Sequence, residues 1–517
     1  MTRGQKIFLT TLRKEVRKIL SYTGHPFFDV GLAMVTVFAG KYDPSSVTEA
    51  DLDSMASFIE REYAREPLKS FLGVAFTTNA WFNQPAFTKQ PEKRSDYARR
   101  ILRGYGKELP EERCVFTGKA ATAVAFSDKL PPGRAYRQHI PLLTGEGVIN
   151  FHPAGHTGLP VSGEAALCLQ AFPLGCAKCG GRLLAVHSDN TDITYDFAAE
   201  FFGYNRQAML LAQQAGSSKM PEAKMSAKTL LIQTLLNIEL RRREEALDHR
   251  PSSVTAYHLT NSGQSNPLDD RNPPLEIYHL PIELTGFLVQ LASPNYRAEW
   301  NAIAERAWRL ALPGKKKKRA ADGEAEDTRP KRNFLFEDLF QLPDNAGKFI
   351  RRYFLRVPAH VKTEDDPRGF YSIRDEASLI SWKITDLFLR EVMKVDQERI
   401  RQIRDLGDRL AAYIYGEDDR KFFTAFYNAK NYLHLRNTLI RANLAHVKRG
   451  NPPLITLEPF IEVFEEGFEV ERPDRRLATD LVLIRMIEQL YNLGWLGKNK
   501  DTLHELKDDD EPEKGDL

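Results

Sequence analysis

Residues 313–332 contain no Val, Leu, Ile, Met, Phe, Tyr or Trp. They hold Lys315-Lys316-Lys317-Lys318-Arg319, then an acidic patch, then Arg329-Pro330-Lys331-Arg332. Such a stretch buries too little apolar surface to offset the entropy of ordering it. A disordered basic linker or loop tip is therefore expected over 313–333, with separately folded parts on either side. The length of 517 residues also exceeds what one hydrophobic core usually serves.

The flanking parts differ in pattern. Over 1–110 the apolar residues recur at helical spacing, as at Phe8, Leu12, Val16 and Ile19. From 111 to 190 Gly and Pro become frequent, and short strands are expected at Ala166–Pro173 and Arg182–His187 around a turn at Cys176–Gly181. Residues 191–312 return to helix over Leu230–Leu247, with a possible strand at Ser253–Leu259, and complete the N-terminal domain. A connector spans 334–374. Residues 375–505 are expected to form a helical bundle that buries two stripes: Ile400, Ile403, Leu406, Leu410 and Ile414, and Phe422, Phe426, Leu433, Ile440 and Leu444. An acidic tail occupies 506–517. The expected fold is α+β: a mixed N-terminal region with a small zinc-ribbon-like insert, then an all-α C-terminal bundle.

The 73 basic and 70 acidic residues nearly cancel, so any nucleic-acid footprint must come from their distribution. Four cysteines are too few for a disulfide scaffold and fit a reducing compartment, so a cytoplasmic location is expected. The longest apolar run, Val30–Gly40, is about half of what a bilayer requires, and no membrane partner is expected.

Cys176-Ala-Lys-Cys179-Gly-Gly places two thiols in a glycine-relaxed turn, a spacing suited to one side of a tetrahedral zinc. Cys114, Cys168 or a histidine such as His152 would complete the set around a structural Zn. The alternative is a degenerate loop whose thiols stay free. His152-Pro-Ala-Gly-His156 also raises a metal-dependent nuclease, although Pro and Gly argue for a loop there. No phosphate-binding glycine loop, nucleophile elbow or helical HExxH motif occurs, so no catalytic residue is assigned and the chain is expected not to be an enzyme.

Candidate nucleic-acid contacts are more numerous. The run Thr77-Thr78-Asn79-Ala80-Trp81-Phe82-Asn83-Gln84 precedes Lys89, Lys93 and Arg94. It combines amides for base edges, aromatics for stacking and cations for phosphate. A solvated helix after a structural loop would have the same composition. Arg351 and Arg352 sit in a similar mixture. Lys430, Arg441 and Lys448 share one helical face in a segment, 421–448, that lacks Asp and Glu.

Several of these segments together resemble one family. Gly24-His25-Pro26-Phe27-Phe28-Asp29-Val30-Gly31 resembles the G-x-P-h-h-D-x-G start (h apolar) of the CXXC-CXXC family of CRISPR-associated proteins, the large subunits of type I-B Cascade. The Phe76–Phe87 run is similar to that family's Asn-rich segment, and Cys176-Ala-Lys-Cys179 matches its second CXXC. Cys114-Val-Phe-Thr117 departs from its first. The resemblance is anchored in residues 20–190. It implies a subunit that binds target DNA near its flanking motif (PAM) and stabilises the opened duplex. The implied partners are guide RNA, target DNA, the backbone, RNA-end-binding and small helical Cascade subunits, and a separate helicase-nuclease. A nuclear zinc-ribbon regulator is the competing reading of the two basic clusters.

Overall fold

The computed structural model describes residues 20–87, 89–128, 130–141, 157–247, 250–261, 273–311, 331–358, 367–429, 431–455, 457–465 and 472–499. His152, His156, Lys430, the charged run 313–330 and the tail 506–517 lie outside the described residues. The chain forms two units: Met1–Ile238 with Ser252–Ile282, and Glu239–Pro251 with Glu283–Leu517.

In the first unit the Gly24–Gly31 motif builds a helix start. Pro26 occupies the first turn of α1 (Pro26–Phe38), where a missing N–H costs nothing. Asp29 folds back so that Thr23 N and Gly24 N each donate to its carboxylate at 2.8 Å, while His187 Nε2 lies 3.0 Å from the same group. The apolar run from Phe28 then disappears into the core through Thr36. Helix α2 (Glu49–Glu62), closed by a Thr48/Asp51 capping box, packs on α1 and on α3 (Pro91–Leu102), and α4 (Gly163–Ala171) packs on all three.

Every residue of α4 is buried. The strand expected over Ala166–Pro173 is instead this helix and the turn after it. An apolar run that is buried all round carries no period by which strand and helix differ.

Residues 111–190 do not stand apart as a zinc-ribbon-like insert. They supply α4, two short antiparallel pairs and half of a four-stranded sheet. The pairs are β1 (Glu108–Arg113) with β2 (Ala120–Thr122) and β3 (Arg134–Ala135) with β4 (Leu159–Pro160). The sheet is antiparallel in the order β5 (Ala177–Cys179), β6 (Arg182–Ser188), β7 (Val254–Leu259) and β8 (Leu275–Leu280). Two longer helices follow β6: α5 (Thr191–Gln214) and α6 (Ala227–Glu244).

The second unit is built of helices. Trp300 on α7 (Pro294–Ala311) stacks on Phe336 at 6.5 Å, and Asn333 Nδ2 donates to Ala304 O. Both flanks of the charged segment thus share one core. The chain passes between the two units at Ile238/Glu239, Pro251/Ser252 and Ile282/Glu283.

After α8 (Trp382–Glu391), α9 (Gln397–Glu417) buries Ile400, Ile403, Leu406, Leu410 and Ile414 as expected, packed on α13 (Arg475–Asn492). Between them come α10 (Arg420–Tyr427), α11 (Tyr432–Lys448) and α12 (Leu457–Phe464). The second expected stripe is broken. Phe422 and Phe426 are buried, but Leu433, Ile440 and Leu444 are 65%, 45% and 55% exposed. The reason is a helix break: Asn431 starts α11 afresh by accepting from His434 N at 2.9 Å. The face that α11 buries is then Leu435, Leu439 and Ala442. Among the described residues no helix is long and apolar enough to cross a membrane.

Candidate nucleic-acid interface

The first unit carries a cleft of about 1100 Å³ whose walls include Asn79, Gln84 and Lys93. Three residues chosen from the sequence as nucleic-acid contacts therefore meet in one concavity. Asn79 and Gln84 reach it from the turns after Phe76, and Lys93 from the first turn of α3. Lys89 and Asn83 lie beside this segment without lining the cleft, and Arg94 is half-buried on the next position of α3.

Trp81 and Phe82 depart from the expectation. Both are buried, and Trp81 Nε1 donates to Gln170 Oε1 at 3.1 Å. They anchor the loop into the core, and this anchoring holds the neighbouring amides outward. The aromatic rings of the cleft are Phe87, Tyr97 and Tyr136 instead.

The opposite wall comes from Ser127, Asp128, Tyr136, Arg137 and Gln138, a segment without a functional signal in the sequence. Its geometry rests on His139, which is buried. Burial pushes its imidazole pKa down to about 3, so the ring is neutral. Nδ1 lies 3.3 Å from the Tyr136 amide and accepts from it, which puts the proton on Nε2, 2.9 Å from the Tyr97 hydroxyl. Tyr97 and Tyr136 both direct their hydroxyls to Gln138 Oε1, at 3.3 and 2.7 Å. With its oxygen engaged twice, Gln138 presents its NH₂ donors to the cleft.

The charges are mixed. Arg100 is held by Asp96 at 3.0 Å and Asp128 at 3.2 Å. Among the described residues Lys89, Lys93, Arg94 and Arg137 make no ion pair, which leaves these four cations for an external anion. Glu92, Asp96 and Asp128 put acceptors on the same surface. Such a surface suits a ligand that is anionic on one side and carries exocyclic amines on the other, as a nucleotide does.

The other assigned cations behave differently. Arg351 Nη1 donates to Asp480 at 2.8 Å and Arg352 Nη1 to Asp338 at 3.0 Å, so both are engaged within the second unit. Arg441 and Lys448 are exposed on α11.

The cysteines are all buried thiols. Cys176 has an extended backbone, and Cys179 follows three residues on, at the end of β5, so their side chains leave opposite faces of the strand. Cys176 Sγ donates to Phe172 O at 3.2 Å within the core, whereas Cys179 Sγ sits 3.6 Å from His258 Nε2. Burial raises the thiol pKa of Cys168 and Cys176, and that of Cys179 to about 12, with Glu222 and Glu276 adding to the last. Cys114 lies in the turn before β2. Among the described residues no three His, Cys, Asp or Glu side chains converge on a metal position. As folded, the two thiols of the CXXC pair have different neighbours. His258, 79 positions from Cys179, carried no local signal in the sequence.

No protein-family model, curated protein or solved structure matches this chain.

Proposed function

We propose that the chain is the large, DNA-binding subunit of a type I-B Cascade surveillance complex, and that the Asn79–Gln84–Lys93 cleft holds target DNA beside the guide-paired region. The observation that carries this reading is the meeting of those three residues, with Gln138, Arg137 and two tyrosines, in one concavity. Amides can satisfy base edges, and unpaired cations can neutralise phosphates. The interspersed carboxylates discourage indiscriminate polyanion binding and accept from exocyclic amines. Guide RNA supplies sequence recognition by pairing in such complexes, and a helicase-nuclease partner does the cutting. This subunit's part is to hold and position.

The test uses the chain co-expressed with guide RNA and the remaining subunits. Asn79→Ala and Gln84→Ala are each expected to weaken target binding by about 1–3 kcal/mol and to relax preference at one flanking position. Complexes of both variants with wild-type affinity and wild-type flanking preference would remove the cleft from DNA recognition.

A further inference from the structure

Helix α11 has two apolar faces, and only one is covered. Leu435, Leu439 and Ala442 face the core of the second unit. On the opposite side Leu433, Ile440, Leu444 and Val447 are exposed, the last by 44%. With Asn437, also exposed, these positions alternate in steps of four and three: Leu433, Asn437, Ile440, Leu444, Val447. That is the 3.5-residue repeat of a coiled-coil seam, with Leu433, Ile440 and Val447 at d and Asn437 and Leu444 at a. A buried polar residue at one a position is the device by which such seams fix register. The seam spans most of a 17-residue helix, roughly 25 Å.

The flanking e and g positions give the partner's sign. They are His434, Arg436, Arg441, Asn443 and Lys448, without a carboxylate. Among the described residues Arg436, Arg441 and Lys448 make no ion pair. A second copy of this helix in parallel register would set Arg436 against Arg441, and an antiparallel copy would also meet cation with cation. Self-pairing is therefore disfavoured. A nucleic-acid strand would find its phosphates over four aliphatic side chains. The chain's own acidic end has no Val, Ile, Leu, Phe or Met between Lys507 and Asp516 and contains Pro512, so it cannot supply a seam.

We propose that the solvent-facing side of α11 is a docking seam for an amphipathic helix of a partner protein, apolar at its a and d positions and acidic at e and g. Because the other face of α11 is packed, this helix is already ordered, and the ordering cost falls on the incoming helix alone.

The experiment uses the full chain and two labelled synthetic peptides. Both carry Leu and Ile at a and d with one Asn at the position facing Asn437. One has Glu at e and g, the other Lys. Anisotropy titration is expected to show saturable binding of the Glu peptide, with the Lys peptide roughly tenfold weaker or worse. Ile440→Asp and Leu444→Asp should each abolish binding while leaving circular dichroism and the melting temperature as in wild type, because both side chains are exposed. The Arg436→Glu/Arg441→Glu variant should reverse the preference between peptides. Equal binding of the two peptides, or binding insensitive to Ile440→Asp, overturns the proposal. A dimer of the chain that Ile440→Asp disperses overturns it in favour of a second copy. Displacement of the Glu peptide by single-stranded oligodeoxynucleotide, with oligonucleotide binding itself lost in Ile440→Asp, overturns it in favour of nucleic acid.

Discussion

Gly31 on α1 lies against the Cys168 carbonyl on α4 so closely that a Cβ at position 31 would stand 2.0 Å from the oxygen. Both helices are buried at this crossing, so neither backbone is free to retreat. The glycine that ends the Gly24–Gly31 motif is thus explained by helix packing. Gly31→Ala is expected to destabilise the chain by about 3 kcal/mol, seen as an earlier urea transition. An unchanged midpoint would mean that the two helices do not cross here.

His139 makes the cleft wall acid-sensitive. Its folded pKa is about 3, far below the ordinary 6.5, because burial disfavours the charged ring. For a base with a depressed folded pKa, the unfolded chain takes up a proton between those two values and the folded chain does not. The contribution is fully present above pH 6.5 and is lost as pH falls below it, by about 1.4 kcal/mol per pH unit. His139→Gln should flatten this loss in unfolding curves between pH 6.5 and 4. It should also cost affinity at neutral pH, because Tyr97 and Tyr136 lose their common support.

Arg352 and Lys93 should separate stability from binding. Asp338 accepts from Arg352 Nη1 at 3.0 Å, from the Tyr353 hydroxyl at 2.7 Å and from Arg368 Nη1 at 2.9 Å. Removing one donor from this largely buried carboxylate should cost roughly 1–3 kcal/mol of stability. Arg352→Ala should leave the salt dependence of DNA binding as it is. Lys93→Ala should leave stability alone and reduce the slope of log K against log salt by about 0.7–0.9. The reverse pattern would exchange their roles.

Local patterns carried much of this in the sequence. The stripe of α9, the β6 strand and the amide–cation cluster were legible because each rests on residues near one another in the chain. Four features were not. The all-buried α4 has no polar face to betray its period. By spacing alone the apolar residues of α11 continue the stripe of Phe422 and Phe426, and nothing short of the break at Asn431 shows that the register restarts and exposes them. Aromatic residues beside amides suggest stacking, but Trp81 is fixed in the core by Gln170, 89 positions away. The far wall of the cleft, with Gln138 and Arg137, likewise meets the Asn79 segment only through the fold.

The thiols give the last prediction. A CXXC in a tight turn would aim two sulfurs at one ion, but here the pair straddles a strand, with Cys176 bonded into the core and Cys179 beside His258. Thiolate is the reactive and metal-binding form. Burial raises the pKa of Cys168, Cys176 and Cys179, so these groups remain thiols at neutral pH. At pH 8 the native chain should show no fast-reacting cysteine towards a thiol reagent, and all four should react once it is unfolded. Cys176→Ala is expected to leave the zinc content of the purified chain as in wild type, because its sulfur faces Phe172 and not a ligand set. Cys176→Ser should fold nearly as well as wild type, since the hydroxyl can still donate to the Phe172 carbonyl. Release of one equivalent of zinc by both Cys176→Ala and Cys179→Ala would instead place the two sulfurs on a common ion.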